Sequence, residues 1–145
     1  MCKVQNKIFL VDDDKLYLKV LEVELQDNDD YILEVFTTGE DCIANLSKNP
    51  DVIILDYYLD GLDKNAMNGI QVLDKIKLIN PDIPVVILSC QDKIEVAIDC
   101  MHHLAFDYIV KSETAFVRLR KVISTIIHIK KTERALNWYM EATSK

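Results

Sequence analysis

The run Val52–Asp56, VIILD, constrains this chain more than any other stretch. Four consecutive apolar residues, three of them β-branched, leave no polar face for an amphipathic element, so the run reads as a strand buried on both sides. It ends abruptly on a carboxylate. In open parallel α/β sheets ligands gather just outside the carboxyl ends of the strands, so Asp56 becomes a site residue if other strands bring it partners.

Four further runs have the same character. Residues 7–11 (KIFLV) form a short apolar run closed by Asp12, Asp13 and Asp14; Tyr31–Phe36, residues 84–89 (PVVILS) and residues 107–111 (DYIVK) complete the set. Between them the apolar residues recur at helical spacing. From Lys15 to about Asp27, Leu16, Val20 and Val23 accompany Leu18, Leu21 and Leu25, which predicts a helix with a broad buried face, capped by Asp14. Thr37, Thr38 and Gly39 turn into a second helix that ends near Leu46, before Asn49 and Pro50. A third carries Ile70, Leu73, Ile76 and Ile79 on one side and stops at Asn80 and Pro81; a fourth runs from about Lys93 to Met101. The last starts near Glu113, with Phe116, Leu119, Ile123, Ile126 and Ile127 along one stripe. If it continues to residue 140 it spans on the order of 40 Å, more than a compact domain of this size needs. Five strands alternating with five helices predict an α/β protein with a doubly wound parallel sheet and right-handed crossovers.

Composition removes other classes. With 145 residues, half of them hydrophobic, the chain can build one domain with a real core. No apolar run approaches the roughly 18 residues of a membrane span, and MCKVQNK lacks the apolar core of a signal peptide, so a soluble, cytoplasmic protein is expected. Cys2, Cys42, Cys90 and Cys100 form no CxxC pair and no zinc-like cluster with His102, His103 or His128; they read as reduced, small apolar residues. The net charge of -7 hides an asymmetry: residues 118–145 hold 7 basic and 2 acidic side chains, against 10 and 22 in residues 1–117. That basic tail is either a solvated helix face or a contact for nucleic acid or a partner.

Four of the five strands end in a group capable of chemistry: Asp12 and Asp13 after the first, Asp56, Ser89 and Lys111 after the third, fourth and fifth. Crowded carboxylates want a cation, and oxygen-only ligands select a hard one such as Mg²⁺, which keeps waters and takes a phosphate oxygen. Lys111 and Ser89 suit the remaining phosphate oxygens. Asp56 is then free to act as a nucleophile and form an acyl phosphate. Taken singly, the three aspartates could be an acid cluster at a helix N-terminus, Ser89 a strand-end hydroxyl and Lys111 a solvated lysine.

The motifs LVDDD, ILD, ILS and YIVK, in this order and each on its own strand, resemble the receiver domains of two-component response regulators, the single-domain chemotaxis-type receivers among them, over residues 5–127. The resemblance implies a flavodoxin-like sheet of order 2-1-3-4-5, a receiver domain over residues 1–127 and an extension of the last helix over residues 128–145. It makes Asp56 the phospho-acceptor and gives Mg²⁺ to Asp12, Asp13, Asp56 and the backbone carbonyl of Tyr58, with Asp12 acting through water. Lys111 would pair with the phosphoryl group. Ser89 would be the switch hydroxyl and Tyr108 the aromatic that moves inward with it, changing the surface of the fourth helix, fifth strand and fifth helix. Cys90 matches a small-residue position beside the phosphoryl group; Tyr58 and Gln91 match positions that tune its lifetime. The implied partner is a sensor histidine kinase or a histidine phosphotransfer protein. A homodimer through the switch surface or the C-terminal helix, where Leu136, Trp138, Tyr139 and Met140 continue an apolar stripe, is a further expectation. Nucleic acid is not expected without an output domain, and the chain reads either as a stand-alone receiver or as one parted from its output.

Two departures stand out. The stretch after the acceptor, YYLDGLDKNAMNG, is about five residues longer than the family's and lacks its proline, so residues 57–67, with Asp60, Asp63 and Lys64, are a solvated insertion or a reshaped kinase-docking rim. Ser112 follows Lys111 where the family has a cis proline; a cis bond before another residue costs roughly 2.5–4 kcal/mol, so trans is expected. Two other classes remain open at this point. A flavodoxin-like cofactor binder needs a Ser/Thr/Gly phosphate loop where this chain has acids, and an aspartyl-phosphate hydrolase would turn over an external phosphomonoester.

Overall fold

In the computed structural model, which describes residues 5–26, 30–61 and 64–144, the five strands form one parallel sheet of order β2-β1-β3-β4-β5. The elements are β1 (Asn6–Val11), α1 (Lys15–Leu25), β2 (Tyr31–Phe36), α2 (Gly39–Ala44), β3 (Val52–Asp56), α3 (Gly69–Ile79), β4 (Val85–Ser89), α4 (Ile94–His102), β5 (Asp107–Val110) and α5 (Ala115–Thr143). Cys2, Asp27 and Asp63, which figure in the sequence reading, lie outside the described residues. The expected α/β architecture and strand order are therefore met. Every residue of β3 and β4 is buried, because helices cover both faces. Phe9, Ile53, Leu55 and Ile87 pack on the α2–α4 side; Ile8, Leu10, Ile54 and Leu88 pack on the α1 and α5 side.

The helix boundaries differ from expectation where local chemistry intervenes. α2 stops at Ala44 and tightens into a 3₁₀ turn, Leu46–Lys48, which closes on Asn49 in the left-handed region at φ 56°. α1 carries two apolar stripes rather than one broad face. Leu18, Leu21 and Leu25 are buried, whereas Leu16, Val20 and Val23 face water from the opposite side. At about 100° per residue the two sets lie nearly half a turn apart, so only one can meet the sheet. On α3 the buried positions are Val72, Leu73 and Ile76; Ile79 is exposed. Gly39 must lack a side chain, since a β-carbon there would come within 2.1 Å of Val72 Cγ2.

α5 spans 29 residues, about 43 Å at ~1.5 Å per residue. Its first half buries Ala115, Leu119, Ile123, Ile126 and Ile127 against the sheet. Beyond Ile127 the same face turns polar, and Lys130 and Arg134 reach Asp51 at 3.7 and 3.4 Å. Arg120 pairs with Glu24 on α1. Three of the basic residues in the tail are thus tied to the domain's own acids. Leu136, Trp138, Tyr139 and Met140 are exposed. Among the described residues no helix is long and apolar enough to cross a membrane.

α4 is the lightly attached element, with Ile94, Ile98 and Met101 exposed and only Cys100 fully buried. His103, its C-terminal cap, links it to α3: Nδ1 lies 2.6 Å from Asp74 and Nε2 lies 3.6 Å from Asp99. The hydrogen bond to Asp74 leads the causes that raise His103 above its ordinary 6.5. A raised histidine pKa contributes stability that is present below the unfolded value and fades as pH rises through the folded one. In an NMR titration His103 should therefore titrate above about 6.5, and Asp74→Asn should move it back down. An unchanged midpoint in that variant would remove the link.

Candidate functional site

The strand ends meet as follows. β1 and β3 are adjacent, which puts Asp12 and Asp13 beside Asp56; β4 and β5 follow on the other side, bringing Ser89 and Lys111. Carboxylate oxygens of Asp12, Asp13 and Asp56 lie within 4.8 Å of one another. Asp12, Asp56 and Ser89 are buried, whereas Asp13 is partly exposed at the mouth. Lys111, the first residue past β5, sends its ammonium back 2.8 Å from Asp12 Oδ2 and 3.5 Å from Asp56 Oδ1. Its backbone N–H donates to the Ser89 carbonyl at 2.7 Å, which fixes the root of that side chain.

The carboxylates are not equivalent. Asp12 Oδ1 accepts the Asp14 N–H at 2.9 Å while Oδ2 takes the ammonium, so its lone pairs are well supplied. Asp56 is less favoured: burial, then the neighbouring Asp12 carboxylate, push it up to about 7, against the pull of Lys111 and of a hydrogen bond from the Tyr58 N–H. Burial and Asp12 also raise Asp13. Burial opposes the charge on Lys111, yet the Asp12 hydrogen bond and both carboxylates outweigh it and hold its pKa up. Three acids and one ammonium therefore leave an uncompensated negative charge. That oxygen-only donor set fits a hard divalent cation such as Mg²⁺.

The lengthened stretch after Asp56 is tied down at both ends. Leu59 is buried in the core, Met67 packs against it, and the Met67 N–H donates to Glu40 at 3.1 Å. At Gly69 a β-carbon would stand 2.6 Å from the carbonyl oxygens of Asp56 and Tyr57, so only glycine lets α3 start this close to the end of β3. Asn68 and Gln71 close the helix with a capping box. In between, Gly61 lies against Asp13, where a β-carbon would stand 3.1 Å from its Oδ2, and Asp13, Asp14, Lys15, Leu16 and Gly61 line an open hollow of about 680 Å³. The insertion thus bears on the acidic rim itself. Asp60 is partly exposed and Lys64 exposed.

On the other flank, the Ser89 hydroxyl accepts the Gln91 N–H at 3.1 Å. Tyr108 is only 9% exposed and donates to the Gln91 carbonyl at 2.6 Å. The aromatic therefore lies inward in this structure, already against Ser89. Cys90 is exposed beside it. No peptide bond among the described residues is cis, so the Lys111–Ser112 bond is trans as expected. One neighbour escaped the sequence reading: Tyr17 of α1 lies under the Lys111 ammonium, 4.2 Å from ring centroid to Nζ. Its position in the first turn of a helix that follows the acidic triplet was the available signal.

A five-stranded, doubly wound α/β domain with an acidic rim, a lysine and a hydroxyl at the strand ends defines a class, and comparison with known proteins gives its family. Residues 8–124 match the model of the response regulator receiver domain, and the chain belongs to that family. It is similar to a protein-glutamate methylesterase/protein-glutamine glutaminase of Clostridium acetobutylicum, 34% identical over 76% of this chain and 32% of the relative. It is also similar to the regulatory protein LuxO of Vibrio cholerae, 32% identical over 68% of this chain and 20% of the relative. The chain thus spans a third or less of these relatives. The signal receiver domain of a LuxO repressor protein from Vibrio parahaemolyticus superposes with a TM-score of 0.80 at 23% identity, covering 91% of this chain and 97% of that one, a likeness of fold.

The uncompensated charge has a measurable effect. A carboxylate held above its unfolded pKa costs stability once pH exceeds the unfolded value, and the cost grows until the folded pKa is passed. In metal-free buffer at neutral pH, Asp56→Asn should raise thermal stability by about 1–3 kcal/mol. The gain should fade in acid. A lower melting temperature for the variant at neutral pH would contradict the charge balance described here.

Proposed function

We propose that Asp56 is the phospho-acceptor of a two-component phosphorelay, supplied by a sensor histidine kinase or a histidine phosphotransfer protein. The convergence of Asp12, Asp56, Lys111 and Ser89 on one buried rim supports this reading more than any other observation. An Asp56 oxygen attacks the phosphorus of the donor phosphohistidine; the P–N bond breaks, and the imidazole leaves with the bonding pair and takes up a proton. Lys111, already shared between Asp12 and Asp56, is within reach to balance charge on the transferred oxygens. Asp13 stands at the mouth, beside Gly61 of the inserted loop.

Mg²⁺ would be held by Asp12, Asp13 and Asp56, with the Tyr58 carbonyl as a further ligand, and supplies charge neutralisation for the phosphoryl oxygens. The switch follows from Ser89. Its hydroxyl accepts the Gln91 N–H, and the Gln91 carbonyl accepts the Tyr108 phenol, so drawing the hydroxyl toward a phosphoryl oxygen frees Tyr108 and the segment leading into α4 to repack. α4 suits that role, being lightly attached and carrying Ile94, Ile98 and Met101 in the open. The α4–β5–α5 surface would then present the signal, to an effector or to a second copy. On this reading residues 1–127 are the receiver and 128–145 an extension of its last helix that offers another contact. The chain is not an enzyme toward external substrates; it catalyses its own phosphorylation and slow dephosphorylation, in the cytoplasm. Neither a flavodoxin-like cofactor binder nor an aspartyl-phosphate hydrolase gains support from the comparisons.

With Mg²⁺ and a small phosphodonor, intact-mass measurement should show one phosphoryl group added per chain. Asp56→Asn should abolish the addition, and Lys111→Ala should slow it on the order of a hundredfold, as loss of a charge-stabilising group does. Addition that persists in the Asp56 variant would refute the assignment.

A further inference from the structure

We infer that Tyr17 is a positioning residue for phosphoryl transfer, holding the Lys111 ammonium at the acceptor through a cation–π contact; the inference rests on the role proposed for Lys111. Lys111 roots in the loop after β5, an edge strand paired only with β4, and its four-carbon stem has to cross to the far side of the sheet end. A lysine is a flexible point charge, and nothing in its own geometry fixes the ammonium. Two contacts do so here. Asp12 accepts from it at 2.8 Å, and the face of the Tyr17 ring lies 4.2 Å from Nζ. The ring has its own support: it stacks on Phe116 of α5, with centroids 6.1 Å apart and planes 26° apart. α1, the β5–α5 loop and α5 are therefore joined through one aromatic pair and one ammonium.

The geometry explains why a ring suits this place better than another acid. The ammonium sits nearer Asp12 than Asp56, at 2.8 against 3.5 Å, and has to swing to serve oxygens added to Asp56. A carboxylate in place of Tyr17 would compete for the ammonium and deepen the crowding of negative charge. The π-face attracts the charge without a directional acceptor, so the ammonium can move between its two carboxylates while staying over the ring. The phenol is half-buried within the field of the same groups: burial raises its pKa, Lys111 opposes that, and Asp12, Cys90 and Asp56 reinforce it. The simpler alternative is that Tyr17 is an apolar cover over the lysine stem, a role that any large apolar side chain would fill equally well.

The test compares Tyr17→Phe, which keeps the π-face, with Tyr17→Leu, which keeps apolar cover alone. In NMR spectra of the full chain the ring current should shift the Lys111 ε-methylene protons upfield; the shift should survive in the Phe variant and vanish in the Leu variant. Phosphoryl uptake from a small phosphodonor with Mg²⁺ should slow roughly three- to tenfold in Tyr17→Leu and be rescued by Tyr17→Phe, the range a partly buried cation–π contact commands. Uptake by Tyr17→Leu at the wild-type rate, or equal slowing in both variants, would overturn the inference. A Leu variant that does not fold leaves the Phe variant decisive, since loss of the Lys111 shift there would also overturn it. If instead wild-type chain takes up no phosphoryl group while the Lys111 shift is present, the contact stands and the role proposed for Lys111 falls.

Discussion

The buried contact of the Lys111 ammonium with Asp12 and Asp56 is the interaction on which the rest of the site depends. It joins the first residue after the last strand to the ends of the first and third, across 99 positions of sequence, and it is almost closed to water. A carboxylate buried without a partner costs several kcal/mol, and two side by side cost more. The lysine offsets part of that cost. What remains uncompensated bears on Asp56, which burial and the Asp12 carboxylate push up to about 7. A core of β-branched strands supplies the stability that lets such a rim persist, and the imbalance left in it favours a cation and an incoming anionic group together. Destabilisation and reactivity thus share one physical origin.

Around this contact the fold makes two connections outward. One runs through Ser89, whose hydroxyl accepts from Gln91, whose carbonyl in turn accepts from Tyr108, and so to the segment before α4, a helix with a single fully buried residue and a histidine clamp at its end. The other runs through the insertion after Asp56. Gly69 lets α3 approach the backbone of Asp56 and Tyr57, and Gly61 stands against the Asp13 carboxylate. The first path links the rim to a lightly attached helix; the second brings the inserted loop up to one of the rim's carboxylates.

The strands were legible because burial on both faces leaves no alternative to an unbroken apolar run, and four of the five runs end where a group capable of chemistry begins. Strand order came with the family resemblance, and the meeting of Asp12, Asp13, Asp56, Ser89 and Lys111 came with it. α1 was misread for a definite reason: apolar residues occur at helical spacing on both of its sides, and periodicity cannot say which side meets the sheet. The insertion carries no period at all, so the contact of Gly61 with Asp13 could not be foreseen. The ring of Tyr17 beneath Lys111 was signalled only by its place in the first turn of α1, since a lysine stem reaches whatever the tertiary fold places beside it. The polar face of α5 beyond Ile127 is similar: its bases read as a tail until Asp51 is seen to hold two of them.

If Asp56 is the acceptor, this rim makes an acyl phosphate on one carboxylate alone. Borohydride reduces an aspartyl phosphate to homoserine, which marks the acceptor in a peptide map. After treatment with a phosphodonor and Mg²⁺, the peptide containing VIILD should carry homoserine at position 56 and nowhere else. Reduction at Asp12 or Asp13, or a phosphoryl group stable to borohydride on Ser89, would contradict the account.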